Sequence, residues 1–415
     1  MSIFWDIRGH FTEGWARLER AFAGYTVRDE ARLGALTGAG LFAFRLDYTQ
    51  RSDDILSEAI ALAQELGNAH GETDATIFLA VNRRWESADA MEPLALRARA
   101  LARAAGDVSS EGRAVLLLGQ VAMHRGDYAK AQGLFLESAR LWENAGCVLR
   151  VPIAIQHAGE CAFAQLEFTA ARRLLDDALI RHRRMGNVHD AAATLRTLGE
   201  LALNEQRFDD ANAQTAESLR IFRALQDPNC AALSARAHAM VLCAASDAAG
   251  ALSHAELAAA TFREHGSPHS LAGALRIVGR AHAALGDMGA ARHALFDGLS
   301  AQQGANWDPW WLPTLLEAVA GMHPDAPIAA ALLGGAAALR EQWSIPVFPV
   351  ERADYERCYA VVRATVTQPG GDLDRAIAAG RTLTRDEAIE SALALLQDVG
   401  SKAEGERPVV SKRPA

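Results

Sequence analysis

Arginines recur at one fixed spacing in this 415-residue sequence. Arg196, Arg236 and Arg276 are 40 residues apart, and Arg280 follows one helical turn after the last. A guanidinium group presents a planar fork of N–H donors, which binds a carboxylate or phosphate at two points. These four residues, called the arginine row below, predict a surface for a carboxylate, a phosphate or an acidic peptide. The alternative is an ordinary solvated face, on which Arg196 simply pairs with Glu200.

Signatures of the common catalytic and metal sites are missing from the sequence. It has no Gly-Lys dipeptide, so no P-loop lysine can reach a bound phosphate. No Gly-x-Ser-x-Gly elbow and no His-Glu-x-x-His pattern occurs. His265 and His269 are four residues apart, but Gly266 and Pro268 interrupt the helix that would bring them together. We therefore predict a non-enzymatic protein with no catalytic residues, no cofactor and no metal site.

An aromatic cluster, Trp307, Trp310 and Trp311, precedes a helix whose start is marked by Pro313. Its rings have two interpretations: they line a ligand pocket, or they fill the junction between two repeats. Filling a junction is the commoner use of such a cluster.

The elements that position the arginine row follow the same 40-residue period. Apolar residues recur at spacings of three and four, and glycine or proline separates the segments. This pattern predicts an all-α protein built from helical hairpins. Alanine occupies the same position in six consecutive units, at Ala131, Ala171, Ala211, Ala251, Ala291 and Ala331.

Composition and charge limit the classes of partner. The net charge of -9 and the pI of about 5.8 argue against direct nucleic-acid binding by this chain. The N-terminal MSIFWDIRGHF lacks the pattern of a secretory signal, and the apolar runs are too short to span a membrane. Five scattered cysteines suggest neither a disulfide framework nor a thiolate zinc site. We predict a cytoplasmic protein without a membrane partner.

In units counted from residue 112, the eighth position is mostly small, the seventeenth mostly large and apolar, the twentieth alanine and the twenty-seventh small. This pattern resembles the tetratricopeptide repeat. Three longer segments resemble the C-terminal sensor region of bacterial LuxR-type and signalling-ATPase transcriptional regulators. They are RGHFTEGWARLERAFA, AALLGGAAALREQWSIPVFPVERADYER and GRTLTRDEAIESALALL. The resemblance implies a right-handed superhelical solenoid of tetratricopeptide-like hairpins. It also implies a sensor and oligomerisation role.

In tetratricopeptide arrays the first helix of each unit lines the concave surface, so the resemblance implies a candidate binding surface there. A protein or peptide, or a small anionic inducer, is the expected partner. Acidic side chains lie toward one end of the surface and arginines toward the other. Its expected members are Gln120, Gln156, Glu160, Arg196, Glu200, Arg236, Arg276 and Arg280.

The period divides the chain into four predicted segments. Residues 1–111 hold degenerate repeats that start in mid-repeat, and residues 112–345 hold six regular repeats. Capping helices follow over 346–399, and a disordered tail over 400–415. An incomplete first repeat exposes an apolar face, which a partner, a second copy of the chain or further upstream sequence would cover.

These expectations combine into a protein-interaction or ligand-sensing scaffold, the regulatory arm of a bacterial signalling or transcription-regulation system. Two alternatives stay open. In one, the chain is the C-terminal part of a multidomain signalling ATPase or nucleotide cyclase whose catalytic part lies upstream. In the other, it is a co-chaperone-like adaptor for peptides, although the Lys/Arg/Asn clamp typical of such adaptors is not recognisable here.

Overall fold

The computed structural model describes residues 11–46, 48–83, 87–304, 310–323, 327–366 and 373–405. These residues form twenty α-helices and no β-strand, which confirms the all-α prediction. None of these helices is long and apolar enough to cross a bilayer. In chain order they are α1 Phe11–Gly24, α2 Glu30–Arg45, α3 Thr49–Leu66, α4 Ala69–Arg83, α5 Ala88–Ala104, α6 Val108–His124, α7 Tyr128–Asn144, α8 Val151–Ala164, α9 Phe168–Arg184, α10 Val188–Asn204, α11 Phe208–Ala224, α12 Pro228–Ala244, α13 Ala248–Glu264, α14 Pro268–Ala284, α15 Met288–Ser300, α16 Leu312–Met322, α17 Pro327–Gln342, α18 Pro349–Val366, α19 Leu373–Gly380 and α20 Arg385–Gly405.

Local signals in the sequence set where the helices begin and end. Asp127 accepts a hydrogen bond from the backbone N–H of Lys130 at 3.1 Å and so caps α7. Asp287 caps α15 in the same way, through the N–H of Ala290 at 2.9 Å. Such a cap satisfies a donor that the first helical turn leaves free. Asp127 and Asp287 thus act as N-caps of the second helices of their repeats.

Small residues let the two helices of a hairpin approach closely. Five members of the alanine column are fully buried, and Ala331 is half-buried. A Cβ atom on Gly199 would lie 2.5 Å from Cγ2 of Thr215, so only glycine fits between α10 and α11 at this point. The 40-residue period of the sequence therefore corresponds to one packed pair of helices, and six such pairs follow one another from α6 to α17.

The helices divide into two compact units, Met1–Gln165 with Arg173–Arg181, and Leu166–Arg172 with His182–Ala415. In the first unit, α1 to α8 pack each against the next along the chain. In the second, α10 to α17 pack in the same sequential way, and α10, α12 and α14 also contact one another in succession. The first helices of three consecutive repeats thus form one layer in the second unit.

Three further helices follow the last repeat. Helix α18 packs against α10 and α16, and α20 packs against α15, α16 and α17. Helices α17 and α19 meet backbone to backbone: a Cβ on Gly334 would lie 2.1 Å from the carbonyl oxygen of Ile377, and one on Gly380 would lie 1.9 Å from that of Ala331. The face of α17 that holds Ala331 is therefore covered by α19.

Helix α20 begins with a capping box at Thr384. The N–H of Thr384 donates to Glu387 Oε2 at 2.8 Å, and the N–H of Glu387 donates to Thr384 Oγ1 at 3.3 Å. The helix continues to Gly405, into the segment for which the sequence suggested disorder. The remainder of that segment, and the mid-repeat start expected at residues 1–10, lie outside the described residues.

Candidate functional site

The arginine row lies on the layer formed by α10, α12 and α14. Each of these helices is the first helix of its repeat and contacts the next one, so residues in the same register stand side by side. Arg196 Nη1 lies 3.8 Å from Glu200 Oε2 on its own helix, while Arg236 Nη2 lies 3.6 Å from Oε1 of the same carboxylate. Glu200 therefore faces two arginines, one on each of two repeats.

Arg236 is the most buried member of the row, with 8% of its side chain exposed. Its Nε and Nη1 atoms are buried without a hydrogen-bond partner. Loss of hydration, helped by the charges of Arg196 and Arg276 and opposed by Glu200, lowers the pKa of Arg236 to about 10. A buried guanidinium whose donors lack acceptors is costly, which makes this position favourable for an added anion.

Trp311 lies against two of these guanidinium groups. The Cζ atoms of Arg236 and Arg276 are 4.7 and 5.2 Å from the centre of its ring. Gly273 makes room for the indole, because a Cβ there would lie 2.8 Å from the ring. The ring packs edge-on against Trp310, with 6.5 Å between centroids, whereas Trp307 lies outside the described residues. Trp311 thus fills a junction between repeats and also provides a face for cations.

The far end of the row is covered by α18. Arg276 Nη1 lies 2.9 Å from Glu351 Oε1, and Arg280 Nε lies 3.2 Å from Asp354 Oδ2. The backbone N–H of Val350, at the start of α18, donates to Asn204 Oδ1 at 3.3 Å. This helix therefore already supplies carboxylates to two of the predicted site residues.

A cavity of about 670 Å³ lies beside this contact, between α14, α16 and α18. Its wall includes both paired arginines, together with the carboxylates of Glu317, Glu351 and Asp354. Apolar surface and thiols complete it, and burial raises the pKa of Cys358 to about 11, so that thiol is neutral at physiological pH. Alternating charges on an apolar wall suit a ligand with a carboxylate and an apolar part.

Three predicted site residues belong to the other compact unit. There Gln156 donates from Nε2 to Glu160 Oε1 at 3.0 Å, and the second oxygen of Glu160 lies 2.9 Å from His157 Nδ1. Gln120 is half-buried on α6. Gln156 and Glu160 thus contact each other within α8. In the second unit, the charged contacts described above join Arg196, Glu200, Arg236, Arg276 and Arg280 to one another or to α18.

Two sets of polar residues were missed by the sequence analysis. The carboxylates on α18 gave no signal, since that helix lies outside the 40-residue register. The second set, His189, Asp227 and Cys230, offers three ligand atoms within 4.8 Å of one another. His189 lies about one repeat before Asp227 and Cys230, so no short motif contains all three.

Comparisons with known proteins place the fold. No family model matches the sequence, and neither does any curated protein. Among solved structures, the apo form of RapI is similar over 66% of this chain and 98% of its own, with a TM-score of 0.55 and 14% identity. A Rap protein complexed with competence and sporulation factor has a TM-score of 0.58 at 10% identity, covering 69% of this chain and 78% of its own.

Aspartyl phosphate phosphatase F from Bacillus subtilis is similar to the same extent. Its TM-score is 0.54 at 9% identity, with 66% of this chain and 72% of the phosphatase covered. At such low identities these likenesses show a shared fold. They confirm an array of tetratricopeptide-like helical hairpins.

Proposed function

We propose that this chain is a non-enzymatic regulatory scaffold that recognises a carboxylate-rich segment of a protein or peptide through the arginine row. One observation carries the proposal: Arg236 is buried between two other arginines, and its Nε and Nη1 atoms have no acceptor. A carboxylate bound there would accept from one of these nitrogens and offset the repulsion among the three cations.

Two further observations support an acidic peptide as the ligand class. Glu351 and Asp354 of α18 already engage Arg276 and Arg280, so this surface accommodates carboxylates that project from a helix. A solved structure with the same kind of fold is a Rap protein complexed with competence and sporulation factor. In this proposal the scaffold is the regulatory arm of a bacterial signalling or transcription-regulation system.

The test uses two labelled probes, a ten-residue oligoglutamate and an oligolysine of equal length, in fluorescence anisotropy titrations. We expect oligoglutamate to bind, with an affinity that falls as salt rises, and oligolysine not to bind. Arg236→Gln should weaken oligoglutamate binding at least tenfold, or about 1.4 kcal/mol. The control is Arg220→Gln, since Arg220 is exposed and pairs with Glu217 outside the row. Equal affinity in the wild type and Arg236→Gln would overturn the proposal.

A second variant tests whether α18 competes with the probe. Glu351→Gln with Asp354→Asn removes both carboxylates without removing the side chains, so Arg276 and Arg280 become available. Oligoglutamate should then bind more tightly than to the wild type. Weaker binding would mean that the probe does not use these arginines.

One alternative function concerns the length of the natural protein. If the chain is the C-terminal part of a signalling ATPase or a nucleotide cyclase, in-frame coding sequence with a P-loop or cyclase segment lies upstream of Met1. Sequencing the DNA on that side distinguishes the two cases. The arginine row would then be the sensor of the larger enzyme.

A further inference from the structure

We propose that His189, Asp227 and Cys230 form a binding site for Zn²⁺. The Nε2 atom of His189 lies 3.2 Å from Asp227 Oδ2 and 3.9 Å from Cys230 Sγ. In a tetrahedral zinc site, nitrogen, oxygen and sulfur ligands are separated by about 3.3 to 3.6 Å. The three atoms thus already stand close to the spacing that a single ion requires, and small side-chain rotations complete the geometry.

The start of α12 fixes two of the three ligands. Asp227 is its N-cap, and its Oδ1 atom accepts from the N–H of Cys230 at 2.9 Å. That bond leaves Oδ2 directed at the imidazole of His189, which is the second residue of α10. Because an N-cap side chain has one preferred conformation, the carboxylate is held in place before any ion arrives.

The imidazole of His189 is oriented from its other side. Asp190 Oδ1 lies 3.2 Å from His189 Nδ1, and Asn187 Nδ2 donates to the second oxygen of Asp190 at 2.7 Å. The ring also packs edge-on against Phe222, with 5.2 Å between centroids. A carboxylate on one imidazole nitrogen, leaving the other for the ion, is the usual arrangement around zinc-binding histidines.

The ligand set determines which metal fits. A thiolate and an imidazole favour a borderline-soft ion such as Zn²⁺ over Mg²⁺ or Ca²⁺, which prefer oxygen ligands. Three protein ligands leave one coordination position, and the imidazole is 49% exposed, so water or a partner's side chain can reach it. The ion would join the N-terminal ends of α10 and α12, the first helices of two consecutive repeats.

A related cluster earlier in the chain shows what distinguishes this one. His70 Nδ1 lies 2.8 Å from Asp107 Oδ2, and Ser110 stands where the later repeat has Cys230. His70 therefore contacts Asp107 through Nδ1, which is the nitrogen that contacts Asp190 in His189. The earlier cluster also lacks the thiol, because serine occupies position 110. In the earlier cluster only the pair of His70 and Asp107 connects two helices. The later cluster also contains the Cys230 thiol, which is a strong zinc ligand. We expect one ion per chain.

Cobalt(II) is the probe, because a thiolate bound to it gives a charge-transfer band in the near ultraviolet. Titration of the metal-free full chain should produce this band with one equivalent, and Zn²⁺ should displace the cobalt. Cys230→Ser should abolish the band, and His189→Ala should weaken cobalt binding at least tenfold. Asp190→Asn, which leaves all three ligands in place, should weaken it by about tenfold through loss of the orienting carboxylate.

Cys147→Ser and Cys243→Ser are the matched controls, since each removes a thiol outside the cluster and should leave the band unchanged. Circular dichroism of every variant verifies that it is folded. Absence of a charge-transfer band in the wild type overturns the proposal, as does a band that survives Cys230→Ser. The substitutions of His189, Asp190 and Cys230 leave every member of the arginine row in place, so the outcome is independent of the proposed function.

Discussion

Arg276 on α14 and Glu351 on α18 form a nearly buried ion pair, with 9% and 11% of their side chains exposed. Such a pair adds little net stability, because both charges lose their hydration, but removing one partner leaves the other charge buried alone. This asymmetry makes the contact a sensitive reporter of whether α18 lies on the arginine row.

Glu351→Ala should lower the free energy of unfolding by about 3 kcal/mol, because Arg276 loses its only carboxylate at hydrogen-bond distance among the described contacts. The double variant Arg276→Met with Glu351→Ala should recover most of this loss. Urea unfolding of the four proteins measures the coupling, and hydrogen exchange over 349–366 shows where it acts. Additive effects of the two substitutions would contradict a direct pair.

Stability at mildly acidic pH should depend on His182. This imidazole is fully buried, and neither ring nitrogen has a hydrogen-bond partner. Burial lowers its pKa below the ordinary value of 6.5, against a smaller opposing effect of Asp190. Its neutral form is therefore the folded form, and the stabilisation present above pH 6.5 is lost as the pH falls below that value.

His182→Leu should reduce this acid sensitivity by about 1 kcal/mol between pH 7.5 and pH 5.5. Urea unfolding at the two pH values measures it. His265→Leu, at an exposed position, is the control and should preserve the wild-type dependence. If His182→Leu and the wild type lose the same free energy of unfolding between pH 7.5 and pH 5.5, a group other than His182 causes the acid sensitivity.

A turn residue offers a stabilising substitution. Gln226 has φ 55°, in the left-handed region, where the corresponding turns hold Gly186 at 68° and Gly266 at 63°. A residue with a Cβ is strained in that region, whereas glycine is not. Gln226 is exposed, so Gln226→Gly removes little packing and should stabilise the protein by about 0.5 to 1 kcal/mol. Gly186→Gln should do the opposite. The midpoints of urea unfolding report both, and a shift of the same sign in the two variants would contradict the argument.

The contact between α17 and α19 should not tolerate a methyl group. Gly334→Ala places a Cβ 2.1 Å from the carbonyl oxygen of Ile377, which is backbone and can move only if α19 moves. We expect a loss of about 2 to 3 kcal/mol and faster proteolysis over 373–380. Gly335→Ala is the matched control, because the nearest atom to its added Cβ is 3.5 Å away. Equal stability of the two variants would refute the close approach.

Periodicity made the helical hairpins predictable, because an alanine recurs at the same position of every repeat and several helices begin with an aspartate cap. It also located the arginine row, since positions 40 residues apart come to lie on neighbouring helices. The burial of Arg236 and Arg276 was not predictable, because Trp311 and α18 reach them from outside the register. The cluster of His189, Asp227 and Cys230 was not predicted for a related reason: its residues come together only where one repeat packs against the next.

The close contact of α19 with α17 also limits how the array can change in length. Ala331 is the sixth member of the alanine column, yet its carbonyl oxygen touches Gly380. A seventh hairpin stacked on α17 would need the space that α19 and α20 occupy. Duplication of a whole repeat within the regular region meets no such obstacle. We therefore expect natural variation in repeat number to arise by internal duplication upstream of α17, with the final hairpin and its covering helices inherited as one block.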